Sequence, residues 1–392
     1  MKIQFVIISV LVLLVVSCNK NKTSQPLDTS ITFIKSLNSQ EELSVIPPSF
    51  DQVTIVPLET NDDILIGNID KIQVNDSLIF VSDSDDKLFV FDRHGRFRNM
   101  IGTIGMGPGE YRSLSTFFID DNSSEIVIVD NVKSSFRRHG FDGKFHSRIR
   151  IDRSQFSPEC ASSHGDFVLL NNSISPENEP AYLLYNDKGE TVFSKPYSGF
   201  SVSGYMMTFS RNSIAKTDDG QHFIMPFCDT IFQCKDDSVI PKYIIEHSKK
   251  MATIENYKLN REQTMLEFEI QSIKDGLFTG FKDIFETDRH ILLNCGWMSG
   301  YSKEFNISYF LVDKKTDTGL YYLYDDESIS MPFLRINASD GKNFVSIVPA
   351  YKLLPFKGKI DATNDENLEK FKTGVENLDE EDNPVLFFYK LK

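Results

Sequence analysis

The feature that most constrains this chain is a unit that returns after 47 residues. In its first copy residues 77–83 are rich in Val, Ile and Leu and read as a strand, followed by an Asp/Ser turn at 84–87. Residues 88–92 form a second strand, 93–95 a turn, and 96–101 a third strand closing on Gly102. In the second copy 125–130 and 134–138 are strands, Phe141, Asp142 and Gly143 make the turn, and 144–151 is the third strand. Weaker copies start near Gly165, His222, His290 and Asn343, at spacings from 41 to 68 residues, so insertions are expected between them. One such unit cannot bury both faces of its small sheet, whereas radial stacking buries them, and a period of about 40–50 residues is the mark of propeller blades. The repeat predicts an all-β fold, a six-bladed β-propeller over residues 46–392, with 32 Phe residues supplying bulk between blades. Strands at 53–58 and 385–391 predict closure of the ring within one blade, which removes an open edge. A β-sandwich or two β domains are the competing arrangements.

Two segments depart from the repeat. Residues 255–274 carry Leu259, Met265, Leu266, Phe268, Ile270 and Ile273 among charges and predict a short helix on the rim. In 361–383, Leu368, Phe371, Val375 and Leu378 recur at 3–4 spacing, one apolar helix face. Both read as helical insertions packed on the ring.

Ahead of the repeat, Lys2 precedes an apolar run at 5–16 broken only by Ser9. Twelve residues suit a signal-peptide core, because a membrane-spanning helix needs about 20. The run ends Val15, Val16, Ser17, Cys18, which resembles the lipobox of bacterial lipoproteins; Val15 and Val16 depart from its usual Leu and small residue. The resemblance implies a signal peptide at 1–17, cleavage before Cys18, lipidation of Cys18, and the membrane as a partner through that lipid. Polar residues after Cys18 lack apolar periodicity and read as a flexible tether, so 18–45 is assigned to anchor and tether. No acidic run follows Cys18, as it does in many surface-exported lipoproteins of the Bacteroidetes, which favours the outer membrane facing the periplasm over the cell surface.

Without residues 1–17 the chain keeps 41 basic and 56 acidic residues, a formal charge of −15. Such a body is repelled by phosphate backbones and anionic lipid, which argues against nucleic acid as a partner. Cys160, Cys228, Cys234 and Cys295 form no C-x-x-C pair and no His cluster lies among them, so structural zinc is not expected. Cys228 and Cys234 flank a predicted hairpin turn; free buried thiols are favoured over a disulfide between them.

Residues 97–145 resemble the NHL type of propeller repeat, in which a glycine-rich inter-blade loop ends in an acidic-aromatic pair before the next strands. The loop here carries Gly102, Gly105, Gly107, Pro108, Gly109, Glu110 and Tyr111. Together with the lipobox and the C-terminal run from Asp382 and Asn383 to Lys390, it makes the chain similar to the six-bladed β-propeller lipoproteins of Bacteroides and relatives. The resemblance implies fold and location; it implies no reaction.

The glycines at 102, 105, 107 and 109 lack the dinucleotide spacing, no Lys-Ser/Thr follows, and the next segment reads as strand, so a phosphate site is not expected. Glu110, Tyr111 and Arg112 remain candidate ligand contacts, because inter-blade loops often border the axial funnel. Asp83, Asp85 and Asp86 lack the twelve-residue calcium loop and read as a solvated turn. The His residues stand beside turns or at strand starts, without zinc spacing, and no Gly-x-Ser-x-Gly elbow is present. Trp297 and Tyr301, in a glycine-flanked loop, are candidates for stacking on a sugar or anchoring a peptide. The expected function is that of a membrane-anchored binding or scaffold propeller recognising a protein, peptide or glycan. The alternative is a metal-dependent hydrolase, lactonase or lyase. No cofactor is predicted, and calcium or another divalent ion in the axial funnel stays open.

Overall fold

A computed structural model describes residues 30–38, 49–151, 158–163, 166–171, 173–174, 180–185, 188, 190–196, 206–207, 212–218, 220–225, 227–235, 238–252, 265–295, 308–323, 335–358 and 366–392. Its first strands are β1 (Thr32–Ser36) and β2 (Phe50–Pro57). Blade 1 follows with Ile69–Val74, Leu78–Asp83, Leu88–Asp92 and Phe97–Met100, and blade 2 with Thr116–Asp120, Glu125–Asp130, Ser135–Gly140 and Phe145–Arg150. Blade 3 holds Pro158–Ser163, Asp166–Asn171, Pro180–Tyr185 and Thr191–Pro196; blade 4 holds Ile214–Thr217, Gly220–Phe223, Thr230–Lys235 and Ser238–Ile245. Blade 5 is built from Asp283–Glu286, His290–Asn294, Ser308–Asp313 and Thr318–Leu323. Blade 6 takes Ala338–Ser339, Phe344–Val348 and Val385–Leu391 and is completed by β2. The described residues thus form six antiparallel four-stranded units. The first strand of each unit touches the first strand of the next, and that of blade 6 touches that of blade 1, so the inner strands close a ring. The fold is an all-β propeller.

Ring closure is a strand pairing: β2 runs antiparallel to Val385–Leu391, with Val53 opposite Tyr389 and Val56 opposite Leu386. Gly95 lets the last turn of blade 1 press on β2, because its φ of +80° and a carbonyl oxygen of Pro57 only 2.1 Å from any added Cβ leave room for glycine alone.

The second and third strands of a blade are apolar on both faces because both faces are covered. In Leu78–Asp83, Ile79 and Val81 enter the cluster shared with blade 6, around Val345 and Phe388. Phe80 points the other way, to Phe117 and Ile126 of blade 2. The sequence reading found these two strands and the outer one, and missed the short inner strand.

The α-helices of the described residues are insertions, α1 (Met265–Lys274) between blades 4 and 5, α2 (Ala350–Leu353) and α3 (Glu366–Glu376) inside blade 6. Phe371, Val375 and Leu378 pack with Val53, Phe387 and Tyr389, so the apolar face read at 3–4 spacing covers the outer strand of the closing blade.

The reading of Cys228 and Cys234 about a hairpin turn needs correction. Cys228 precedes and Cys234 sits within one strand, Thr230–Lys235, so six residues at about 3.3 Å each hold them far beyond disulfide reach. Neither is in a disulfide, and nor is Cys295.

Candidate functional site

Alternation of strand direction gives the ring two unlike faces. Turns from each first to second strand, and from third to fourth, lie on one face; the other carries the second-to-third turns and the crossovers between blades.

On the crossover face carboxylates are consumed by backbone. Asp83 ends the second strand of blade 1 and is 1% exposed. Its Oδ1 accepts the N–H of Asp85 and Lys87, and its Oδ2 accepts the N–H of Gly67 in the incoming crossover. Asp130, one repeat later, accepts the N–H of Lys133 on Oδ1 and the N–H of Arg112 and the Nε of Arg137 on Oδ2. The solvated-turn reading of Asp83 is therefore corrected: the turn is real, and its carboxylate is a buried cap. In blade 6 Asn383 takes the same part, donating to the carbonyls of Glu59 and Ile64 and accepting the N–H of Ile66.

The glycine loop lies on this face. Glu110 bends back to accept the N–H of Gly107 at 2.6 Å. Tyr111 is 1% exposed and donates its hydroxyl to the carbonyl of Asp86 at 2.6 Å, and burial, with Asp86 and Asp83 nearby, pushes its pKa upward. Arg112 is exposed, with its backbone N–H on Asp130. Glu110 and Tyr111 thus build the crossover, and Tyr111 is enclosed rather than presented; neither lines the funnel described next. Cys18, Trp297 and Tyr301 lie outside the described residues, as does His164.

The opposite face opens into a funnel. A cavity of about 440 Å³ is walled by the ends of the inner strands of blades 1, 2, 4, 5 and 6. It carries Asp76, Asp121, Asp218, Glu286, Asp288 and Asp340, with Lys216 and Lys314 as the cations. Below it a smaller space of about 100 Å³ is lined by Ile72, Ile119, Ile214 and Ile284 together with polar residues such as Gln73 and Asn212, so the mouth narrows into a throat of mixed polarity.

Side chains link the blades around this mouth. Arg93 of blade 1 donates to Asp340 of blade 6 at 2.7 Å and to the carbonyl of Asn75 at 3.1 Å, and lies 4.4 Å over the Phe388 ring. Lys342 meets Asp76 at 2.9 Å, and that hydrogen bond and charge hold the Asp76 carboxyl below its ordinary range. Asn75 donates to Asp121 at 2.8 Å, and Lys216 of blade 4 reaches the same carboxylate at 2.7 Å.

One wall is buried. Glu286 and His222 are each 2% exposed; His222 Nδ1 donates to Glu286 Oε2 at 2.7 Å, and Lys314 donates to Oε1 at 2.8 Å. His222 Nε2 has no hydrogen-bond partner. The sequence reading of His222 as a turn or rim residue is corrected, since it joins blades 4 and 5 from within; His139 and His290 are buried too. Among the described residues, no three His, Cys, Asp or Glu side chains converge as a cation site. The geometry offers a polar cavity with charges of both signs and an acidic excess, suited to holding a ligand that bears cationic groups.

A family profile described as Domain of unknown function (DUF4934) matches residues 29–390. No curated protein matches the chain. Among solved structures, a candidate exported protein from Bacteroides fragilis NCTC 9343 is similar at 19% identity and a TM-score of 0.71, covering 93% of this chain and 100% of its own. A member of the DUF4221 family from Bacteroides vulgatus ATCC 8482 is similar at 10% identity and a TM-score of 0.53, covering 88% of this chain and 98% of its own. These likenesses concern the fold.

Proposed function

The chain belongs to the family described as Domain of unknown function (DUF4934), and on that premise we propose that it is a membrane-anchored, extracytoplasmic binding propeller that recognises a protein, peptide or glycan at its funnel mouth. In this reading it is a six-bladed, NHL-like lipoprotein, lipidated at Cys18 and held on the outer membrane facing the periplasm. The lipobox supports the anchor, and the similarity to a candidate exported protein supports an extracytoplasmic place. No helix among the described residues is long and apolar enough to cross a membrane.

The observation that carries the binding reading is the mouth itself: about 440 Å³ walled from five blades, with six carboxylates against Lys216 and Lys314 in the lining and Arg93 and Lys342 bound to two of the six from its edge. Such a site selects a ligand carrying amines or guanidinium groups. Isothermal titration of the purified protein against lysine-bearing peptides, the same peptides acetylated, and amino-sugar glycans tests it. D218N/D288N changes two exposed carboxylates of the lining and is expected to weaken binding at least tenfold, with binding also falling as salt rises. Affinity unchanged in that variant would overturn the assignment of the mouth.

A further inference from the structure

Strand β1 stands outside the blades. It lies parallel to the outer strand of blade 4 on one side and the outer strand of blade 5 on the other, joining both sheets into one of nine strands. Both its edges are occupied: Glu246 N–H donates to Ile34 O on one side, while Lys35 and Leu37 donate to Asp317 and Gly319 on the other. It therefore offers no edge for another strand.

What it offers is a face. Side chains alternate along a strand, and Ile34 turns inward, fully buried among Ile245, Phe310 and Tyr321. Phe33 turns outward at 57% exposure with exposed Lys35 two residues on, and Ile31 and Leu37, which flank the strand, are exposed at 43% and 62%. Ile244, level with Phe33 on the neighbouring strand, is half-buried beside them. The other large exposed apolar side chains of the described residues, such as Met106, Val132 and Tyr351, stand on other segments, so the apolar stripe runs along β1 and the residues that flank it.

The stripe also has a place in the chain. Twelve residues lie between Cys18 and Ile31, thirteen Cα steps that reach at most about 45 Å. In a chain lipidated at Cys18, β1 is the first described strand after the anchor, so the rim of blades 4 and 5 lies within that reach of the bilayer. Aromatic and aliphatic side chains with an interspersed lysine suit the lipid interface. With the body at −15, the surface concerned is zwitterionic lipid.

We propose that the outward face of β1 is a membrane-contact stripe. It seats the rim of blades 4 and 5 on the zwitterionic bilayer to which the chain is anchored, leaving the funnel axis along the membrane plane and its mouth opening sideways. This rests on the lipidation reading, and the test separates the two. Full-length lipidated protein is placed in phosphatidylethanolamine/phosphatidylcholine vesicles containing brominated lipid, with F33W or, as reference, V132W on blade 2, each in a W297F background. The F33W indole should be quenched at least threefold more than the V132W indole. Equal quenching overturns the stripe. So does a blue shift of F33W emission that grows with protein concentration without lipid, because a second copy then covers the face. Intact mass of the extracted protein, together with release of C18S from membranes, reports on the anchor: unmodified wild-type protein defeats the anchor reading, whereas lipidated protein with equal quenching defeats the stripe alone.

Discussion

The two faces of the ring spend their acidic residues differently. On the crossover face Asp83 and Asp130, with Asn383 in blade 6, are buried and bound to backbone N–H groups or carbonyls that the fold itself fixes. On the mouth face Asp76 and Asp121 are exposed and held by Lys342 and Lys216, long side chains that lose rotamer freedom to make each contact. A backbone partner is permanent, whereas a lysine can be exchanged for another cation. The first face is therefore built for closure, whereas the second sets exposed, exchangeable carboxylates beside closing ones such as Asp340 and Asp92, which accept backbone N–H groups.

The largest effects should come from the crossover face. Asp130→Ala leaves Arg137, 5% exposed, without its carboxylate and strips the N–H of Arg112 and Lys133 of an acceptor. A loss of about 3–5 kcal/mol is expected from urea denaturation. Asn383→Ala frees the carbonyls of Glu59 and Ile64 and the N–H of Ile66, for about 2–4 kcal/mol. Both variants, where folded, should keep the ligand affinity of the mouth. A crossover variant that costs under about 1 kcal/mol would break the distinction between the faces.

A middle-sized effect concerns acid. His139 and His290 sit at strand ends on the mouth face, and burial holds both pKa values below the ordinary 6.5. For His139 the charges of Arg137 and His146 add to burial against the Gly143 carbonyl; for His290 Asp313 opposes it. Below pH 6.5 the unfolded chain takes up protons that the folded imidazoles resist, so the unfolded state binds more protons and stability rises with pH. The contribution is complete above about 6.5 and is lost progressively towards the folded pKa, at no more than about 1.4 kcal/mol per pH unit for each histidine. Urea midpoints between about pH 7.5 and 5 should fall, and H139N/H290N should flatten that fall. An unchanged slope in the double variant would remove acid sensitivity from the mouth face.

The sequence carried the fold further than the site for a physical reason. Strands such as Glu125–Asp130 are buried on both faces, so their Val and Ile runs stand out, and turns of Asp, Asn and Ser mark their ends. The inner strands do not stand out: Ile69–Val74 alternates with Asp70, Lys71 and Gln73, and Ala338–Ser339 has two residues. The mouth is assembled largely at the ends of those inconspicuous strands, one to four residues per blade, and Lys216 and Asp121 meet across 95 residues of sequence. A signal was nevertheless present, since Asp76, Asp121, Asp218, Asp288 and Asp340 each fall just after an inner strand, in the turn before the second. Glu110 and Tyr111 were drawn towards the funnel because a glycine loop in sequence does not say which face it joins. The partners that settle this, the N–H of Gly107 and the carbonyl of Asp86, are backbone atoms.

The smallest stability effect should be the most telling about function. Lys216 and Asp121 bridge blade 4 to blade 2 at 2.7 Å with side chains 48% and 42% exposed. Exposed pairs of this kind contribute about 0.2–1 kcal/mol, so Lys216→Ala should leave the urea midpoint nearly unchanged. Asp121 would keep the amide of Asn75 but lose its cation, and a ligand amine would no longer compete with Lys216 for it. Titration should then show a cationic ligand binding K216A about three- to tenfold more tightly than wild type, a gain that shrinks as salt rises. If K216A instead destabilises the ring as Asp130→Ala does, the mouth carboxylates are structural like those of the crossover face, and the two faces differ only in exposure.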